Sequence, residues 1–123
     1  MGGRVLDASV LAALAFGEPR AEEALGLLEG KKLFAPELLK YEITHVAVKK
    51  ALLSEAKTTP LILEALVAAL SLDICWVDVD CDAVARLALQ TGVTAYDASY
   101  LYISRLLGLA LVTFDEKLGK HCP

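Results

Sequence analysis

The sequence predicts a three-layer α/β/α sandwich on a mainly parallel sheet of four to five strands. Three observations predict it. Short apolar runs of strand character alternate with helical patterns, which implies parallel strands covered on both faces. No linker or internal repeat interrupts that alternation. At 123 residues and 56% apolar, the chain matches one compact domain over residues 1–123 with a single core.

The elements follow in order. Arg4-Val-Leu reads as a short buried strand ending at Asp7, followed by a helix over Ser9 to Ala15 that breaks at Phe16-Gly-Glu-Pro19. A second helix, about Arg20 to Glu29, ends at Gly30. Leu33-Phe-Ala35 is the next strand, and Pro36 opens a helix over Glu37 to Leu53. Beyond the break Lys57-Thr-Thr-Pro60, a helix over Thr59 to Leu70 is apolar nearly all round. Such a helix lies deep in a core or against another subunit, and a homodimer contact is expected there. Ile74 to Val77 is the third strand, Asp80 to Gln90 and Thr94 to Leu107 are helices, and Leu109 to Val112 is the last clear strand. A helical turn starts over Asp115 to Leu118.

Composition excludes several classes. The greasiest stretch, Leu61 to Val77, is interrupted by Glu64 and Asp73, too soon for a bilayer span, and the N-terminus lacks a signal-peptide layout. A cytoplasmic protein is expected. Cys75, Cys81 and Cys122 are too few and too irregularly spaced for a zinc cluster or a secreted disulfide framework. Asn is absent and Gln90 is the only Gln, a depletion of thermolabile amides that points to a thermophile, where an intracellular disulfide becomes possible. The net charge of −4 argues against a broadly basic nucleic-acid binder, so any nucleic acid must be held locally. Arg20, Lys31, Lys32, Lys40, Lys49 and Lys50 are candidates for a local stripe or for a solvated face.

Four acids stand out. Asp7 and Asp115 each follow an apolar strand and precede a helix, the position of an N-cap but also the carboxyl edge where parallel sheets bind ligands. If their strands are neighbours about 4.8 Å apart, the two carboxylates come close. Ser9 and Thr113 offer hydroxyls beside them, to a metal-linked water, a phosphate or their own turns. Glu42 shares a helical face with Leu38, Leu39 and Val46, so it snorkels, pairs with Lys49 or His45, or joins Asp7 at the sheet edge. Asp97 lies three residues after Thr94 in a capping-box spacing, and pattern alone does not fix which edge it faces. Like charges about 4 Å apart repel by roughly 4 kcal/mol at an effective dielectric near 20. An oxygen-rich cluster with no His or Cys at zinc spacing therefore selects Mg2+ or Mn2+. The run Val77 to Asp82 alternates acids like a calcium loop, but Ala83 and Leu89 stand where the required Gly and Glu belong, leaving Asp80 as a helix cap. His45 and His121 are isolated.

Val5-Leu-Asp-Ala-Ser9, Tyr41-Glu-Ile-Thr44, Tyr96-Asp-Ala-Ser-Tyr100 and Leu111-Val-Thr-Phe-Asp115 together resemble the PIN domain, more narrowly the toxin of VapBC-type toxin–antitoxin pairs. The resemblance covers essentially the whole chain. It implies Asp7, Glu42, Asp97 and Asp115 as the acidic quartet and Thr113 as an accessory hydroxyl. It further implies an RNA substrate and a small antitoxin that blocks the acidic groove. Where such proteins commonly finish with a further short edge strand, this sequence has only Lys120-His-Cys-Pro123.

The expected function is Mg2+- or Mn2+-dependent hydrolysis of RNA phosphodiester bonds. Two rivals have other signatures. An aspartyl-nucleophile phosphatase needs a second Asp two residues after the first, and Ser9 stands there. A non-catalytic module would use the acids only as caps and dock a partner on its apolar helices.

Overall fold

In the computed structural model, which describes residues 2–122, the elements run β1 (Gly3–Leu6), α1 (Ala8–Ala15), α2 (Ala21–Leu28), β2 (Lys32–Ala35) and α3 (Leu38–Leu53). A short 3-10 turn leads to α4 (Thr59–Leu70), β3 (Ile74–Trp76), α5 (Cys81–Thr91), α6 (Ala95–Leu107), β4 (Ala110–Val112) and α7 (Glu116–Gly119). Element order and type match the sequence reading, with ends displaced by a residue or two where caps and fraying decide them.

The sheet has four strands in the order β3-β2-β1-β4, every neighbouring pair parallel. Among the described residues there is no fifth strand; after α7 the chain turns through Lys120 and His121. Parallel crossovers are right-handed, so the steps β1 to β2 to β3 lay α1–α4 on one face, and the return to β4 lays α5 and α6 on the other. Contacts follow that division, with α1 against α2, α3 and α4, and α5 against α6. This is the expected three-layer α/β/α fold. The strand order reverses between β1 and β4, which makes the carboxyl ends of these two strands the crevice of the sheet.

The core explains the alternation. Val5 and Leu6 of β1 are fully buried between the layers, with Leu11, Leu39 and Ile43 of the first layer and Leu101 and Ile103 of the second also sealed from solvent. Helix punctuation is local. Asp7, Asp80, Thr94 and Asp115 cap α1, α5, α6 and α7 through their side chains, and Gly108 ends α6 at φ +65°, a conformation costly for residues with a Cβ. Gly3 is needed for another reason: a Cβ there would lie 2.8 Å from the Phe34 ring.

One expectation narrows. Helix α4 is not deep in the core; only Ala69 is buried, while Leu61 and Val67 are exposed, as are Leu52 and Leu53 at the end of α3. Four of the six cations have close partners. Arg20 pairs with Glu23, Lys40 with Glu37 and Lys50 with Glu18, while Lys32 lies over Phe34. Glu23 and Glu37 lie three positions from Arg20 and Lys40, whereas Glu18 reaches Lys50 from the turn between α1 and α2. All three cysteines are free thiols, and no helix among the described residues is long and apolar enough to cross a membrane.

Candidate active site at the carboxyl edge of the sheet

The four acids arrive from four elements: Asp7 at the cap of α1, Glu42 early in α3, Asp97 in the first turn of α6 and Asp115 at the cap of α7. Leu6 pairs with Val112 at the end of the β1–β4 ladder, so Asp7 and Thr113 leave the sheet side by side. The Thr113 hydroxyl donates to Asp7 Oδ2 at 2.5 Å, and the Ser9 hydroxyl donates to Oδ1 at 2.6 Å. The Val10 N–H also reaches Oδ1, at 3.2 Å.

Both hydroxyls act twice. Ser9 Oγ accepts from the Phe114 N–H at 2.9 Å, and Thr113 Oγ1 accepts from the Asp115 N–H at 3.0 Å. Each therefore relays between the Asp7 carboxylate and the backbone that carries Asp115. Asp7 is at once a helix cap and a buried carboxylate, with 6% of its surface exposed; the two readings of its position are not alternatives. Asp115 caps α7 through the Leu118 N–H at 2.9 Å and is open to solvent.

Glu42 is half-buried, and its bond comes from the Tyr100 hydroxyl, which donates to Oε1 at 2.5 Å, in place of a pairing with Lys49 or His45. Tyr100 is itself 1% exposed. Burial pushes its phenol above the ordinary range, and the neighbouring Glu42 pushes it further, so the hydroxyl stays protonated and remains a donor. Asp97 donates its N–H to Thr94 Oγ1 at 3.1 Å, which realises the capping spacing and leaves its carboxylate facing the other acids.

The electrostatics join what the chain separates. Burial raises Asp7 above the usual carboxylate range, against the opposing bonds from Ser9, Thr113 and Val10. Burial also raises Glu42, with the charges of Asp97 and Asp7 adding to it. Asp97 is raised by burial and then by Asp115 and Asp7, while Lys117 pulls it down. Glu42 and Asp97 thus feel the charges of the other acids, which groups on opposite surfaces would not do.

Among the described residues, no three His, Cys, Asp or Glu groups stand arranged to hold a metal ion. The donor chemistry nevertheless fits a hard cation: the groups are carboxylates and hydroxyls, the charged forms of Glu42 and Asp97 are disfavoured by burial and by neighbouring acids, and a divalent ion is what relieves such repulsion.

Tyr100 was visible in the sequence only as part of a motif. Its signal is a phenol on a buried helix face, three residues after Asp97, where a polar tip needs a partner. Arg20, one of the candidate cations, lies 3.7 Å over the ring of Phe114, and Lys117, which the sequence pattern does not single out, is close enough to act on Asp97.

The chain as a whole is similar to known proteins. Residues 4–122 match the family described as PIN domain. The chain is 34% identical over 124 residues to Ribonuclease VapC3 of Pyrobaculum aerophilum, covering 97% of this chain and 94% of that protein. Among solved structures, the crystal structure of PAE2754 from Pyrobaculum aerophilum aligns with a TM-score of 0.78 at 31% identity, over 97% of this chain and 78% of that one. Mycobacterium tuberculosis VapC20, described as a sarcin-ricin loop cleaving toxin, aligns with a TM-score of 0.70 at 17% identity, over 96% and 94% of the two chains, a likeness of fold.

Proposed function

The chain belongs to the PIN-domain family, and from that premise we propose that it is a Mg2+- or Mn2+-dependent endoribonuclease, the toxin of a toxin–antitoxin pair. The observation that carries the reading is the convergence of acids at the crevice between β1 and β4, where, beyond the effect of burial, Glu42 is raised by the charges of Asp97 and Asp7, and Asp97 by those of Asp115 and Asp7. The near full-length likeness to a protein named a ribonuclease supports RNA as the substrate.

Asp7 and Asp115 would hold the ion directly or through water, and Glu42 and Asp97 would complete its surroundings or place the attacking water. The ion supplies positive charge that acidifies water and offsets charge gathering on the phosphate and the leaving oxygen. The rest is done by the chain. Ser9 and Thr113 fix both oxygens of Asp7, and Tyr100 occupies Glu42 Oε1 so that Oε2 is the oxygen left to act. Asp97 is half-exposed at the mouth of the site, where its carboxylate would help to position the attacking water.

The partner is a small antitoxin, encoded beside this gene, that covers the acidic groove. A second copy of the chain covers the exposed apolar surface of α4 and the end of α3. Light scattering should give twice the 13.2 kDa chain mass, and a monomer at micromolar concentration would remove the dimer. The protein acts in the cytoplasm.

A circular single-stranded RNA separates endonuclease from other readings. Cleavage should appear with Mg2+ or Mn2+ and vanish with EDTA. A circle that stays intact while linear RNA is degraded would replace the endonuclease reading by an exonuclease one.

A further inference from the structure

We propose that the cleft walled by Tyr41, His45 and Tyr96 is a base subsite, stacking one unpaired nucleobase of RNA beside the phosphate handled by the acids. The inference rests on the nuclease reading and adds how the substrate is gripped.

The cleft encloses about 370 Å³ and also takes Ala8, Leu38 and Glu42 into its wall. It opens directly on the acids, because Ala8 follows Asp7, Glu42 is one of them, and Tyr96 precedes Asp97. Tyr41 and His45 are one helical turn apart on α3, so their rings share a face, and Tyr96 meets them from α6. Tyr41 is 72% exposed and Tyr96 64%, which leaves ring surface in water that a base could cover.

Charge decides which part of a nucleotide belongs there. The Glu42 carboxylate in the wall repels phosphate, so the cleft favours the flat, uncharged base. Cations border the acids from the β4 side instead: Lys117 acts on Asp97, and Arg20, paired with Glu23, lies over Phe114 between Thr113 and Asp115. Rings on the α3 and α6 side and cations on the β4 side thus sort base from phosphate. A base can enter such a cleft only when it is out of a duplex, which makes single-stranded RNA the substrate class. Stacking also supplies grip that the chain's net charge of −4 does not.

The test uses the full chain and short single-stranded RNAs carrying 2-aminopurine at successive positions, read by fluorescence quenching and by cleavage kinetics. One position should be quenched. Tyr96→Ala should abolish that quenching and raise KM by roughly tenfold or more with kcat changed by less than about threefold, the scale of one lost base–aromatic stack. Tyr96→Phe, which keeps the ring, should restore both, and Tyr41→Ala should act in the same direction as Tyr96→Ala. Continued cleavage with KM and quenching unchanged in Tyr96→Ala would overturn the subsite. Quenched binding without cleavage by the wild-type chain would keep the subsite and overturn the nuclease reading. If Tyr96→Ala leaves RNA binding intact and loses only the binding of a polypeptide partner, the cleft is a protein-docking surface and the proposal is wrong.

Discussion

Asp7→Asn should lower RNA cleavage by at least about a hundredfold, the scale on which removal of one preplaced electrostatic group registers, without unfolding the protein. The substitution is nearly isosteric. An Asn carbonyl oxygen still accepts from the Val10 N–H and the Ser9 hydroxyl, and its amide can donate to the Thr113 oxygen once that hydroxyl turns. What disappears is one negative charge that raises both Glu42 and Asp97. The ion-free variant should therefore melt at or above the wild-type temperature while losing activity, a combination that general damage to the fold does not produce. Asp97→Asn should lose activity to a similar degree. Undiminished cleavage by both variants would remove these carboxylates from the reaction.

The second large effect concerns stability. Leu6→Ala should cost about 2–5 kcal/mol, because Leu6 is fully buried in β1 between both helical layers and no flexible surface is free to collapse into the space. Against a total of roughly 5–15 kcal/mol for a domain, that is a major fraction. Leu6 also leads directly into Asp7, so the same cavity loosens the cap that positions the carboxylate. Leu53→Ala, at a side chain 88% exposed at the end of α3, should change the stability of the isolated chain by no more than about 0.5 kcal/mol. Chemical denaturation distinguishes the two. Equal midpoints would mean that the sheet centre is not where the chain is held together.

The contrast between these two leucines also shows what could be read in advance. Strand and helix identities were legible because apolar period and caps are local: Asp7, Thr94 and Asp115 all cap the helices that they precede. That Asp7 and Asp115 come together depends on β1 lying next to β4, a pairing of strands more than a hundred residues apart that no local pattern encodes. Glu42 was suspicious as a carboxylate on an apolar face, but its partner, Tyr100, lies 58 positions away. The side on which Asp97 faces followed from family resemblance rather than from spacing. For helix α4 the apolar pattern left two places open, a core or a subunit contact, and within the single chain only Ala69 is buried, with Leu66 and Leu70 packed against the core, since burial depends on what packs against a helix as well as on its composition.

The central claim is that the acids form one electrostatic unit whose repulsion a divalent ion relieves, and melting temperature with and without ion across pH tests it most directly. Asp7, Glu42 and Asp97 hold protons more tightly folded than unfolded. Their contribution to ion-free stability is therefore most favourable below the usual carboxylate range and is lost as pH rises through their raised values. An ion competes with those protons, so its stabilisation should grow as pH rises from about 4.5 to 7. At a hundred times its dissociation constant it should reach about 2.7 kcal/mol. Asp7→Asn should lose most of that gain. A melting temperature unmoved by Mg2+ and Mn2+ at pH 7 in the wild-type protein, or moved equally in Asp7→Asn, would contradict the account.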